Sequence, residues 1–281
     1  MKRGQIKYSV LSAAAAVFGT VLWSRRQRRQ APSGDSGDAE AAAVLPAAAS
    51  REEPEKMRRE FSANVSHELK TPITSISGYA EMMMTGMVKR DDVPKLSEKI
   101  YNESQRLIAL IDDIIRLSRL DEGSVGNHAA EVNLLAASRR VADRLEHKAE
   151  SFRVCVTVSG EDVMILGDEQ LVDEMIANLC DNAIKYNRPG GRVCIWVGRR
   201  GGAPYLTVSD DGIGIEPEHM ERIFERFYRI DKSRSRETGG TGLGLSIVKH
   251  SAAWHKATVK AESTPGKGTR ISVIFDGKGG E

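Results

Sequence analysis

Several short runs of this sequence combine residue types that chemistry needs. One is F-S-A-N-V-S-H-E-L-K-T-P, Phe61 to Pro72, where Glu68 directly follows His67 and Thr71 comes four positions after it. A neutral imidazole is a competent nucleophile, so its ring nitrogen can take a phosphoryl group. Residues four apart share a helix face, which puts Thr71 beside His67; Glu68, as next neighbour, reaches the ring only through a local bend. A second run, Asp168 to Tyr186, places Asn178, Asn182 and Lys185 on one helix face. Asparagine is a poor interior helix residue, so two on one face ask for a reason. Amide oxygens suit a magnesium ion that keeps much of its water, and a lysine suits phosphate oxygens.

A third run, S-D-D-G-I-G-I, follows the strand-like Y-L-T-V and sets Asp210 at the strand's mouth, with Gly212 and Gly214 behind it. Backbone without side chains can lie close to a flat ring there. A fourth, Gly240-Thr241-Gly242-Leu243-Gly244, opens an apolar helix through Ile247 and Val248, and free N–H groups at such a start bind phosphate. Neither the Walker pattern nor the dinucleotide fingerprint fits, because no G-K-[ST] follows and no strand precedes. The basic stretch between these runs surrounds Phe224, Phe227 and Tyr228. Arg229 is its candidate for neutralising phosphate charge, while Arg226, Lys232, Arg234 and Arg236 read as a solvated face.

The elements that must position these runs follow from apolar periodicity. Phe61, Val65, Leu69, Ile73, Ile76, Ala80, Met83 and Met87 step by threes and fours, a helical stripe from which His67 points away. Pro72 has no N–H for the carbonyl of Glu68, which predicts a bend just past the histidine. After K-R-D-D-V-P a second stripe runs through Val93, Leu96, Ile100, Leu107, Leu110, Ile114 and Leu117, heptad-like with only Glu103 off pattern. A lone helical hairpin buries little, so two copies are expected to form a four-helix bundle; the alternative is a hairpin packed on its own downstream domain. Beyond D-E-G-S-V-G-N, helical and strand-like runs alternate to the end. The chain closes with two strands around T-P-G-K-G-T, where Pro265-Gly266 makes a hairpin turn.

The S-H-E-L-K-T-P run resembles the phosphoacceptor box of the sensor histidine kinases. N-L-C-D-N-A-I-K-Y resembles their N-box, D-D-G-I-G the adenine-binding box, the basic stretch the ATP lid, and the final glycines the G2 box. The resemblance covers roughly residues 58–275. It implies an α plus α/β fold: a dimeric four-helix-bundle hairpin followed by an α/β-sandwich ATPase domain of the gyrase, Hsp90, histidine kinase and MutL type. It implies His67 as phosphoacceptor, Glu68 as its acid/base partner, and Thr71 as the residue that orients water for dephosphorylating a partner. It further implies Asn182 on Mg2+ with Asn178 close by, Lys185 and Tyr186 near the phosphates and base, and Asp210 on the adenine amino group. ATP and Mg2+ are the expected cofactors, and the receiver domain of a response regulator, whose aspartate takes the phosphoryl group, is the expected partner. The chain departs from the family where Asp211 replaces the commoner Asn, where Arg270 replaces a hydroxyl or aromatic residue, and where His255-Lys256-Ala257 replaces His-Gly-Gly.

Composition narrows the rest. The 281 residues are 28% charged and 40% hydrophobic, ordinary for a globular chain. A net charge of +2 and sparse aromatics give no basis for direct nucleic acid binding. Cys155, Cys180 and Cys194 have no metal spacing and read as small buried hydrophobes. Tyr8 to Trp23 is uncharged between basic flanks; its helix length of roughly 24 Å approaches the ~30 Å hydrocarbon core, and R-R-Q-R-R behind it reads as a stop-transfer anchor in preference to a signal peptide. The expected organisation is a basic start (1–7), a membrane anchor (8–23), a flexible linker (24–56), a phosphotransfer and dimerisation hairpin (57–122) and an ATP-binding domain (128–277). No extracellular sensor is expected, and the catalytic part lies on the cytoplasmic side. An ATP-driven conformational machine and a non-catalytic dimeric scaffold are the competing functions.

Overall fold

A computed structural model describes residues 49–121, 129–231 and 240–276. The basic start, the anchor, residues 24–48 of the linker that follows it and part of the lid (232–239) lie outside these, while residues 49–56, expected as the end of that linker, are already helical. Among the described residues no helix is long and apolar enough to cross a membrane.

Helix α1 (Ala49–Met84) and helix α2 (Val93–Asp121) are joined by a turn of 3-10 helix at Arg90–Asp92. They run antiparallel: Glu68 on α1 faces Arg106 on α2, and farther along Lys99 lies over the Tyr79 ring. α1 stays helical through Pro72, whose ring is buried. The Thr71 hydroxyl donates to the His67 carbonyl at 3.2 Å and that of Thr74 to the Lys70 carbonyl at 2.9 Å, giving the turn on either side of the proline extra support.

The α/β part follows as β1 (Ala130–Asn133), α3 (Leu134–Phe152), β2 (Cys155–Gly160), β3 (Met164–Gly167), α4 (Glu169–Lys185), β4 (Arg192–Arg200), β5 (Ala203–Asp210), α5 (Gly244–Trp254), β6 (Thr258–Thr264) and β7 (Gly268–Ile274). The main sheet has the order β2-β4-β5-β7-β6, with β2 and β4 parallel and the other neighbours antiparallel; β1 pairs with β3 in a separate ribbon. Strand β4 shows why the sheet has one wet face: Val193, Ile195 and Val197 are buried while Arg192, Cys194 and Trp196 alternate outward. Cys155 and Cys194 are therefore exposed, against the expectation of burial, and only Cys180 is interior, where burial pushes its thiol up to about 12. Asn133 and Asp168 cap α3 and α4 by accepting from the N–H groups of Ala136 and Leu171 at 2.9 and 3.0 Å. Val141, Met175, Ile176, Val208 and Val248 sit in the core between helices and sheet.

A second, smaller apolar contact joins the hairpin to this domain. Leu110 and Leu117 of α2 pack with Leu243 and Ile247 at the start of α5, and Phe61, Leu69 and Phe227 close around them. The later part of the stripe expected to face a second copy, Leu110, Ile114 and Leu117, is thus used within the chain. Ile108, Ile111 and Ile115, one position around α2, are 52%, 41% and 41% exposed.

Candidate active site

Each cluster read from the sequence has a definite place. His67 points to solvent with 75% of its side chain exposed, and its Nδ1 is 3.9 Å from Glu68 Oε1. That separation exceeds a hydrogen bond yet brings the two adjacent side chains together on a helix that stays unbroken. The other oxygen, Oε2, accepts from Arg229 Nη2 at 3.0 Å and lies 3.9 Å from Arg106.

Arg229 joins the clusters. Its side chain is 7% exposed, and Nη2 also donates to the Thr241 carbonyl at 2.7 Å. Burial lowers its affinity for the proton, and Glu68 opposes that shift. Its Nε is buried without a partner among the described residues, a cationic donor beside the glycine-rich loop. Gly242 there has φ +75°, and a Cβ on it would lie 3.1 Å from that Nε. Thr241 in turn donates from Oγ1 to Asp113 Oδ2 on α2 at 2.7 Å and accepts from the Leu243 N–H at 3.2 Å. Burial raises the Asp113 carboxyl, with the Thr241 hydroxyl, Arg116 and Lys185 pulling the other way. Leu243 contributes its side chain to the apolar contact with the hairpin. Gly240, directly before Thr241, is half-buried.

Helix α4 meets the loop from the other side. Asn178 donates to the Glu174 carbonyl at 3.0 Å, which leaves Oδ1 pointing at Gly244, where an added Cβ would be 3.0 Å away. Asn182 is half-buried one turn farther on. Lys185 Nζ is 2.6 Å from Asp181 Oδ2, and Lys148 pairs with Asp181 as well. Against the burial that opposes it, these lysines hold the Asp181 carboxyl below the usual carboxylate range. A phosphate at Lys185 must therefore compete with Asp181. A cleft of about 750 Å³ opens beside Asn178, lined among others by Arg116, Arg140 and Glu174.

The cluster expected at adenine lies at the end of β5. Asp210 Oδ1 accepts from the N–H groups of Gly212 at 2.9 Å and Thr269 at 3.3 Å; among the described residues none donates to Oδ2. Burial raises this carboxyl. The Tyr186 carbonyl accepts from Ile213, holding the end of α4 against the loop. Gly214 has φ +69°, and a Cβ there would sit 2.2 Å from the Thr264 carbonyl oxygen, so only glycine fits. Asp211 is a structural acceptor: Oδ1 takes the Arg192 N–H at 2.6 Å, a bond that lowers its own carboxyl.

Sequence reading missed the acids of α2. Asp113 holds Thr241, and Asp121 accepts from Arg226 at 2.8 Å with His250 Nδ1 3.4 Å away. Their signal was weak: charged residues flanking an apolar stripe normally face water.

Comparison with known proteins agrees with this geometry. Residues 57–123 match the His Kinase A (phospho-acceptor) domain, and residues 167–278 match the histidine kinase-, DNA gyrase B- and HSP90-like ATPase. The chain belongs to the sensor histidine kinases. It is 41% identical over 220 residues to the sensor-like histidine kinase SenX3 of Mycolicibacterium smegmatis, an overlap of 78% of this chain and 57% of that one. The chain thus spans little more than half the length of the curated relatives it matches. In fold it is similar to the Acinetobacter baumannii histidine kinase AdeS, with TM-score 0.63 and 22% identity over 75% of this chain and 98% of that one. It is also similar to the histidine kinase ThkA, solved in complex with the response regulator protein TrrA, with TM-score 0.60 and 23% identity over 83% and 67%.

Proposed function

We propose that the chain is a membrane-tethered, dimeric sensor kinase that phosphorylates His67 from Mg-ATP and passes the phosphoryl group to an aspartate of a response regulator. The observation that carries this is the bridge through Arg229, which bonds the Thr241 carbonyl of the glycine loop and the Glu68 carboxylate beside His67. A phosphate-binding loop and a nucleophile's neighbour share one cation.

With Nδ1 turned toward Glu68, the Nε2 lone pair is the nucleophile. It attacks the γ-phosphorus, the bond to the β-phosphate oxygen breaks, and ADP leaves while Glu68 balances the charge that develops on the Nδ1–H side. Asp210 receives the adenine amino group, the N–H groups of Gly242 and Gly244 and Lys185 bind phosphate, and Arg229, with its unpartnered Nε, neutralises charge. Asn182, with Asn178 behind it, would hold the magnesium ion, which neutralises phosphate charge when bound. The orphaned guanidinium nitrogen and the close approach of Asn178 to Gly244 suit an anion and its cation. Thr71 serves the reverse reaction, orienting water once its hydroxyl turns from the His67 carbonyl. The exposed Ile108, Ile111 and Ile115 stripe, with Ile73 and Met82 on α1, favours a bundle with a second copy. Partner transfer follows the ThkA example, and tethering rests on the apolar segment at residues 8–23.

The test is incubation of the full chain with γ-labelled ATP. The expected product is acid-labile, base-stable label that disappears in His67→Gln. Bound ATP without label in the unaltered chain would defeat the kinase reading in favour of a conformational ATPase.

A further inference from the structure

His255, the residue kept from His-Gly-Gly just before the departure at Lys256 and Ala257, lies away from every group assigned above, yet its imidazole joins the two helices proposed to bind phosphate. His255 ends α5, whose first turn carries the glycine loop, and its Nδ1 donates to the Ser251 carbonyl at 2.7 Å. That fixes the neutral tautomer with Nε2 as acceptor, and Nε2 takes the N–H of Asp168 at 3.2 Å. Asp168 is the N-cap of α4, the helix that carries Asn178, Asn182 and Lys185. The chain makes room for this contact: a Cβ on Gly167 would lie 2.5 Å from the imidazole Cδ2 and Nε2. Trp254 and Phe275 enclose the ring edge-on, at centroid distances of 4.7 and 6.1 Å. The residue is 9% exposed.

We infer that His255 is a positioning residue for the proposed phosphotransfer, a strut that sets the start of α4 against the end of α5 and so the spacing of Asn178 and Asn182 from the glycine loop. The inference rests on the nucleotide site proposed above. A neutral imidazole suits this task because Asp168 presents a donor. Protonation would turn Nε2 into a second donor facing that N–H and break the strut. Burial holds the imidazole below its ordinary value, while the Ser251 carbonyl and Asp168, the charged group facing it, pull upward. Trp254, Phe275 and Gly167 on the other sides carry no charge. The neutral form is fully present above the free-imidazole range of ~6.5, and its contribution to stability is lost as pH falls from there through the lowered folded value.

The test measures Mg-ATP affinity and His67 labelling on the full chain, with melting temperature alongside. Asparagine keeps the donor to Ser251 but falls short of Asp168, whereas glutamine places an acceptor within reach of it. His255→Asn is expected to weaken Mg-ATP binding roughly five- to tenfold, the equivalent of one lost hydrogen bond, with labelling at saturating ATP within about twofold. His255→Gln is expected to restore affinity and to flatten the loss of binding expected of the unaltered chain as pH falls below the free-imidazole value of ~6.5. Unchanged affinity in His255→Asn, or equal losses in both variants at unchanged melting temperature, would overturn the strut. If the variants fail to fold, hydrogen exchange at the Asp168 amide of the unaltered chain decides: protection that falls with pH supports the strut, and pH-independent protection overturns it. An unaltered chain that binds no Mg-ATP defeats the proposed function and the strut with it, whereas normal binding with an indifferent His255→Asn defeats the strut alone.

Discussion

Helix α2 carries two apolar stripes one position apart, and they have different fates. Leu110 and Leu117 are 4% and 0% exposed against Leu243 and Ile247 of the ATPase domain, while Ile108, Ile111 and Ile115 are left in the open. The docked stripe is bordered by carboxylates that reach site residues, Asp113 to Thr241 and Asp121 to Arg226. The carboxylate beside the open stripe, Asp112, is exposed. Polar groups that also bond well to water make a contact easier to release, whereas a permanent seam is more stable when apolar. In the proposed dimer one helix serves two partners by a rotation of about 100° between adjacent side chains.

Substitutions on the two faces separate these roles. Ile111→Asp has the largest expected effect, because two copies each lose ~1.5–3 kcal/mol of burial and gain an unpaired charge. Dimer affinity, measured by ultracentrifugation, should weaken on the order of a hundredfold or more, with melting of the ATPase domain unchanged. An unshifted dimer would mean the open stripe is not the seam. Leu117→Ala comes next: loss of a fully buried leucine costs about 2–5 kcal/mol, so α2 amides that pack on α5 should exchange faster while dimerisation persists. A comparable weakening of the dimer would merge the two faces into one.

Asp113→Asn is a smaller change with a definite pH signature. The folded carboxyl is raised, so the folded state binds the proton more tightly than the unfolded one, and the stability this gives is lost as pH rises from the ordinary carboxylate value of 3.8 through the raised value. The amide keeps an acceptor for Thr241 without that penalty. The variant's docked contact, followed by exchange at residues 241–244, should be at least as strong as the unaltered one near neutral pH and lack this pH dependence. Asp121→Ala has the smallest expected effect, under about 1 kcal/mol, because the pair with Arg226 is partly solvated and screened. Its loss should vanish at high salt, and a loss indifferent to salt would point to packing of Phe61 under Arg226 instead.

Much of the site was legible beforehand because its parts are local. A helix with capped ends at Asp168 and Tyr186, a strand ending in Asp210 and a glycine loop opening an apolar helix each declare themselves within twenty residues, and each stands where periodicity placed it. The assignment of α2 was half legible. Heptad spacing identified Leu110 and Leu117 as buried but not by what, since another chain and another domain offer the same apolar environment. The cysteines misled because apolar runs in a one-sided sheet still point every second residue outward. Lys185 looked free for phosphate, but its i−4 neighbour Asp181 already engages it.

The sequence alone determined which groups this chain has for phosphoryl chemistry, and on which helices and loops they ride, because side-chain chemistry and helical or strand period are properties of neighbouring residues. Only the tertiary structure decided which of them meet. Arg229 and Glu68 are 161 positions apart, Thr241 and Asp113 are 128, and His255 and Asp168 are 87. No local propensity encodes such a pairing. It arises when the leucines of α2 close on α5 and when Gly167 leaves space for an imidazole, so that burial brings polar groups together and leaves each with the others as its partners.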